Sequence, residues 1–201
     1  MIFESAELRW FSLDKDLYKD IFNGLASRSE ARHEKERTDY YLNLDSSFSG
    51  LKIRNGKLEL KIRSAPDIHL PYGPVQHWKK WSFNEEDPIL SAIPSDLQKD
   101  WIKVIKKRQI KIFELALDGQ IRLIVNERIK TGCSIEYTEV MIPDVNINYK
   151  SIALEAFNLN GNCTETLRKT IEGLKLDLSL LSRNNCYAYP DLLSKIFHMK
   201  N

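Results

Sequence analysis

Two short stretches, LKIR and LELKIR, carry cations at two-residue spacing on either side of Asn55-Gly56. Residues two apart share one face of an extended strand. Lys52 and Arg54 therefore fall together opposite Leu51 and Ile53, and Glu59, Lys61 and Arg63 fall together opposite Leu58, Leu60 and Ile62. Asn-Gly tolerates the positive φ angles of a tight hairpin turn, which pairs the two charged faces. Four of these five charged side chains are cationic, and like charges on one face of a hairpin repel. Acids elsewhere or an anionic ligand must compensate them. Arginine's bidentate fork and lysine's point charge suit the oxygens of a phosphate chain. The plain alternative is an antiparallel sheet with one apolar and one wet, charged face.

Other stretches with strand-like alternation add charges. Glu7 and Arg9 share a face in 2–11, with Ala6, Leu8 and Trp10 on the other. Arg108 leads into 110–117, Asp118-Gly119 marks a second hairpin turn, and the returning strand 120–126 carries Arg122. Glu136 lies in 133–142 and Glu155 in 151–157. In a closed barrel one face of every strand looks into a shared interior. Inward charges must be paired or hydrated, which points to a wet channel for a charged ligand. Carboxylates beside an anion imply a bridging divalent cation, Mg2+ or Mn2+, because these ions take hard oxygen ligands. The alternative for Glu7, Glu136 and Glu155 is that they only neutralise the basic face through salt bridges.

The elements that position these groups are mostly strands. At 201 residues the chain suits one domain over 1–201 with a substantial core. The net charge of +2, from thirty basic and twenty-eight acidic residues, is too balanced for a protein that coats nucleic acid. The basic hairpin is a local feature. Cys133, Cys163 and Cys186 are widely spaced without zinc-ligand spacing and read as reduced, structural thiols. With no charged-then-apolar leader and no run of eighteen apolar residues, the expectation is a cytoplasmic protein without a membrane span. The oligomeric state is left open.

Period-four leucine and isoleucine positions predict a helix over 13–25. The charged stretch 27–37, with His33, reads as a solvated helix or loop. Five prolines between Pro66 and Pro94 make 64–100 an irregular excursion between strands. Within it Trp78 and Trp81 read as packing anchors, with a base-stacking patch as the alternative. Residues 101–107 read as a strand or the end of a short helix. Two helices close the chain over about 164–199: an amphipathic one over 164–181 packed on the outside, and a short one from Tyr189 with Pro190 in its first turn.

The order of these stretches resembles the CYTH superfamily, the triphosphate tunnel metalloenzymes. The resemblance rests on Glu7-Leu8-Arg9, Asp39-Tyr40-Tyr41, the LKIR and LELKIR strands, Lys106-Lys107-Arg108, the acidic strand 132–139, Glu155, and the segment 187–193. It implies an eight-stranded antiparallel β-barrel, a tunnel with flanking helices, in a mainly β (α+β) fold. It further implies that Arg9, Lys52, Arg54, Lys61, Arg63, Arg108 and Arg122 hold phosphate oxygens. Glu7, Glu136 and Glu155 would bind the metal, with Glu136 and Glu155 counted as catalytic. The implied activity is metal-dependent hydrolysis of inorganic tripolyphosphate or of a nucleoside or organic triphosphate. Two positions depart from the family: Ser5 and Thr138 stand where it has glutamates, while Glu4 and Glu139 fall one position off and would face the other way. The loss of two carboxylates implies weaker metal binding. Two alternatives follow, a non-catalytic phosphate or nucleotide sensor on the same scaffold and an RNA-associated protein.

Overall fold

The computed structural model describes residues 2–14, 17–25, 30–84, 101–124 and 129–200. Its strands are β1 (Ile2–Ser12), β2 (Arg32–His33), β3 (Arg37–Leu42), β4 (Ser49–Arg54), β5 (Lys57–Leu70), β6 (Gly73–Phe83), β7 (Trp101–Leu115), β8 (Ile121–Ile124), β9 (Thr131–Ile142) and β10 (Ile147–Asn158). The helices are α1 (Leu17–Gly24), α2 (Cys163–Gly173) and α3 (Tyr189–Lys200). Eight strands pair in the order β7-β3-β4-β5-β6-β1-β10-β9, and β9 returns to β7, so the antiparallel sheet closes on itself. The expected closed eight-stranded barrel is the observed fold. Strands β2 and β8 extend β7 outside this circuit.

Alternation along each strand divides the side chains between two cores. Ala6, Leu8 and Trp10 of β1 point outward and pack with Tyr18, Ile21 and Phe22 of α1 and Leu167 and Ile171 of α2. Their neighbours Glu7, Arg9 and Phe11 point inward. A second cluster joins Phe11, Tyr41, Ile102, Val104, Val140 and Ile142 to Leu192, Leu193 and Ile196 of α3. That helix therefore plugs one end of the barrel, and each fully buried Leu or Ile contributes about 1.5–3 kcal/mol to holding it there. Pro190 occupies its first turn, where the missing N–H has no intrahelical partner to lose.

The Asn55-Gly56 turn joins β4 to β5 with φ of 48° and 72°, the paired positive angles of a tight hairpin. It puts Lys52 opposite Glu59 and Arg54 opposite Lys57.

Several sequence-based boundaries change. The stretch 64–84 is a long hairpin rather than an excursion, with β5 reaching Leu70 and β6 starting at Gly73. The register of β5 on β6 shifts between Arg63 and Ala65 and again between Ala65 and Ile68. Pro66 sits within that irregularity, where no ladder hydrogen bond is lost. Residues 85–100 lie outside the described residues. The stretch 101–115 is one strand. In place of the predicted solvated helix or loop, Arg32 and His33 pair with Ile110 and Gln109 of β7. Helix α2 stops at Gly173, and Lys175 adopts φ 51°. Leu176, Leu178 and Leu181 still bury into the outer core, so their helical spacing reports burial without a helix.

Candidate functional site

A cavity of about 220 Å3 lies inside the barrel, bounded at its plugged end by Ala188, Tyr189 and Pro190. Eight cationic side chains and four carboxylates line it. Nearly every inward strand face contributes, because closure of the sheet turns the period-two charge pattern of separate strands toward one axis.

Most of these cations meet an acid, and several share one. Asp39 of β3 is fully buried and faces Arg54 across the β3–β4 ladder. Arg54 donates from Nε to Asp39 Oδ1 at 2.9 Å and from Nη2 to Oδ2 at 3.0 Å. Lys106 Nζ lies 3.0 Å from the same Oδ2 and donates to the Tyr41 hydroxyl at 2.7 Å. Burial alone would raise the Asp39 carboxyl, yet Lys106 and Arg54 outweigh it and hold it far below the usual range. Burial depresses the Lys106 ammonium well below an ordinary lysine against the pull of Asp39, with Lys52 and Arg54 adding repulsion.

Lys52 meets its cross-strand partner Glu59 at 2.8 Å. Burial, and next the neighbouring Arg54, lower the Lys52 ammonium to about 8 although Asp39 and Glu59 oppose this. Burial would raise Glu59, but Lys52 and Arg54 bring it down to about 2. Lys61 donates to Glu7 Oε2 and lies over the Trp78 ring, 4.9 Å from its centroid.

Arg9 donates from Nε to Glu7 Oε1 at 2.5 Å, from Nη1 to Ser151 Oγ at 3.3 Å and from Nη2 to Glu136 Oε2 at 3.4 Å. Arg108 donates from Nη1 to Glu136 Oε1 at 2.8 Å, and from Nε and Nη2 to the two oxygens of Glu34 at 2.8 and 2.7 Å. Burial opposes ionisation of Glu7 and Glu136, yet Lys61 and Arg9 hold Glu7 well below the carboxylate range, and Arg108 and Arg9 hold Glu136 at about 2.

Glu155 differs. It faces Glu7 directly across β1 and β10 and lines the cavity, but it forms no ion pair among the described residues.

Arg9, Lys52, Arg54, Lys61, Arg108, Glu7, Glu136 and Glu155 thus gather around one cavity. Arg63 and Arg122 do not. Arg63 is outside the cavity lining, over the Trp78 ring at 5.3 Å from its centroid, and paired with Asp67 at 3.3 Å and with Asp191 at 3.7 Å. Arg122 stands on β8, beyond the closed circuit, exposed and paired with Asp118 at 2.6 Å. Ser5 and Thr138 are buried. Glu4 and Glu139 face outward, paired with Lys79 at 3.1 Å and Lys150 at 3.6 Å, and the unbroken register through both strands contains no bulge to turn them inward.

Sequence reading missed other members of the site. Arg37, Asp39 and Tyr41 share the inward face of β3, a period-two signal present in RTDYYL. Lys80 lines the mouth two residues from Trp78. Glu34 had no sequence signal, since it lies in a stretch charged throughout. Trp78 is fully buried, a packing anchor rather than a base-stacking surface. Trp78 and Tyr189 both line the cavity, and the buried Trp78 Nε1 and Tyr189 hydroxyl have no hydrogen-bond partner among the described residues.

The carboxylates do not fit a divalent metal in this arrangement. Among the described residues no three carboxylate, imidazole or thiol side chains gather closely enough to hold one. The oxygens of Glu7 and Glu136 that face each other are taken by Arg9.

No protein-family model matches this sequence, and no curated protein matches it. Among solved structures, the chain is similar to the PH1012 protein of Pyrococcus horikoshii, with 15% identity over 94% of this chain and 98% of that one, at a TM-score of 0.46. It is also similar to the putative adenylyl cyclase HpAC1 of Hippeastrum, described as having a dominant triphosphatase activity, with 13% identity over 87% of this chain and 88% of that one, at a TM-score of 0.40. The Pct1 RNA triphosphatase of S. pombe shows 9% identity over 90% of this chain and 85% of that one, at a TM-score of 0.41. Likenesses this distant concern the course of the chain alone. No described helix is long and apolar enough to cross a membrane.

Proposed function

We propose that the tunnel binds the phosphate chain of a small molecule, inorganic tripolyphosphate or the triphosphate group of a larger compound. One observation carries this reading: eight cations line a single cavity against four carboxylates. Counting Asp39 and Glu34 behind them, the cations still exceed the acids. A low-dielectric wall focuses that excess on the cavity.

The cavity volume of about 220 Å3 falls below the roughly 300–1,000 Å3 of pockets that enclose drug-sized ligands. It suits a short phosphate chain, with any organic group at the open mouth. Thermal denaturation with tripolyphosphate, ATP and thiamine triphosphate tests this, since a ligand that binds only the folded state raises the midpoint. Stabilisation by all three that tracks their shared phosphate chain supports the reading; none by any of them rejects it.

Turnover is a second reading, favoured by Glu155. A carboxylate in the cavity without an ion pair could take a proton from a water attacking the terminal phosphorus; the P–O bond to the bridging oxygen breaks, the shortened phosphate chain leaves, and the lysines and arginines stabilise charge on the transferred phosphoryl and on the leaving oxygen. The metal-dependent form of this hydrolysis is tested by phosphate release with Mg2+, with Mn2+ and with EDTA. Release that Glu155→Gln abolishes supports turnover, and absence of release in a protein that tripolyphosphate stabilises leaves binding alone.

A further inference from the structure

We infer that Arg9 is a built-in cation that occupies the carboxylate pair Glu7–Glu136 in place of a divalent ion, so that the tunnel takes uncomplexed polyphosphate. The consequence for the ligand rests on the phosphate-binding reading above; the occupancy of the carboxylates does not.

The geometry is specific. Ala153 on β10 is in register with Arg9 on β1 and with Glu136 on β9. Its small side chain leaves the inner face of β10 open between the two outer strands. The Arg9 guanidinium fills that space, with all three nitrogens engaged on Glu7, Ser151 and Glu136. Its carbon lies 5.0 Å from the centroid of the Tyr189 ring, and the side chain is buried. Lys61 on Glu7 and Arg108 on Glu136 take the remaining carboxylate oxygens.

Mg2+ requires near-octahedral oxygen ligands at about 2.0–2.1 Å. An ion at that distance from Glu7 Oε1 would stand against a fixed guanidinium, and displacing Arg9 would strand a buried charge. Glu155 is left as a single carboxylate, too few ligands to hold the ion alone. The phosphate ligand must then be neutralised by side chains, and Mg2+ that chelates it in solution competes with the tunnel.

Two measurements on the full chain test this. Electron paramagnetic resonance of Mn2+ titrated into ligand-free protein should leave the free-ion signal intact in the wild type and diminish it in Arg9→Met, whose fold is checked by circular dichroism. Bound Mn2+ in the wild type that Glu7→Gln releases overturns the inference, as does a folded Arg9→Met protein that leaves the ion free. The wild-type arm stands even where Arg9→Met fails to fold. Thermal denaturation with tripolyphosphate should then show full stabilisation in EDTA, unchanged or smaller with Mg2+ added. Stabilisation that requires Mg2+ or Mn2+ overturns the inference. Absence of stabilisation under every condition rejects uncomplexed polyphosphate as the ligand and with it the phosphate reading, while the Mn2+ result still decides the role of Arg9.

Discussion

Glu7 and Glu155 face each other in register across β1 and β10, yet Glu7 carries Lys61 and Arg9 while Glu155 has no ion pair among the described residues. Two like side chains in adjacent positions are thereby given different work. Glu7 is part of the framework that holds the cations in place, and Glu155 is free to meet whatever enters the cavity. The difference follows from the strands beside them: β1 brings Arg9 next to Glu7 on the same face, whereas the neighbours of Glu155 on its own face are Ala153 and Phe157.

Asp39 is the acid on which the basic side of the barrel depends. Asp39→Asn should destabilise the fold by about 3–5 kcal/mol, the cost of breaking a buried ion pair from one side, because Lys106 and Arg54 lose their shared partner. Chemical denaturation reads this as a lower midpoint with an unchanged slope. An unchanged midpoint would contradict the role assigned to Asp39.

Removing a cation separates binding from stability. Lys61→Ala should weaken tripolyphosphate binding by about tenfold or more, since a hydrogen bond to a charged group contributes about 1.5–3 kcal/mol, and should spare the fold because Glu7 keeps Arg9. Arg54→Ala should weaken binding similarly but also lower the melting temperature. A run of cations considered alone implies that losing one relieves repulsion; Asp39 reverses that sign for Arg54. Calorimetric titration beside thermal denaturation checks both variants.

Affinity should fall with rising pH. Lys52 is held at about 8, and a bound polyanion favours its protonated form, so binding takes up a proton wherever the free site has lost one. Binding constants measured across that range should decline as pH passes about 8, and Lys52→Arg, whose charge persists, should flatten the decline. A flat wild-type profile would remove Lys52 from the binding groups.

Acid should unfold the barrel through its inward carboxylates. Glu7 and Glu136 are both depressed in the folded state. Their contribution is full above the unperturbed value of 4.5 and is lost as pH falls from there toward about 2, where Glu136 protonates. The sign follows because the unfolded chain binds more protons in that window. Melting temperatures measured down the acid range should fall through it, less steeply in Glu136→Gln.

Much of the barrel was legible because alternation is a local signal. Asn55-Gly56 marks one hairpin and the alternation of its arms puts Lys52, Arg54 and Lys61 on one face, both readable from neighbouring residues alone. What escaped depended on contacts distant in sequence. Glu34 reaches Arg108 only because a two-residue strand pairs with β7. Pro66 suggested irregular chain, whereas a shifted register accommodates it inside a strand. Arg122 had the right charge and period but lies on a strand beyond the barrel circuit, a fact of topology that no spacing contains. Which acid meets which cation was equally invisible, since it is set by register between strands.

The most direct measurement is calorimetric titration of tripolyphosphate into the wild-type protein and into the Lys52→Ala/Lys61→Ala double variant, with folding of both confirmed by circular dichroism. A tunnel that binds phosphate gives saturable one-to-one binding in the wild type, which the double variant loses. Absence of binding to the wild type, or binding that survives unchanged in the folded double variant, would contradict the assignment of the charged interior as a phosphate site.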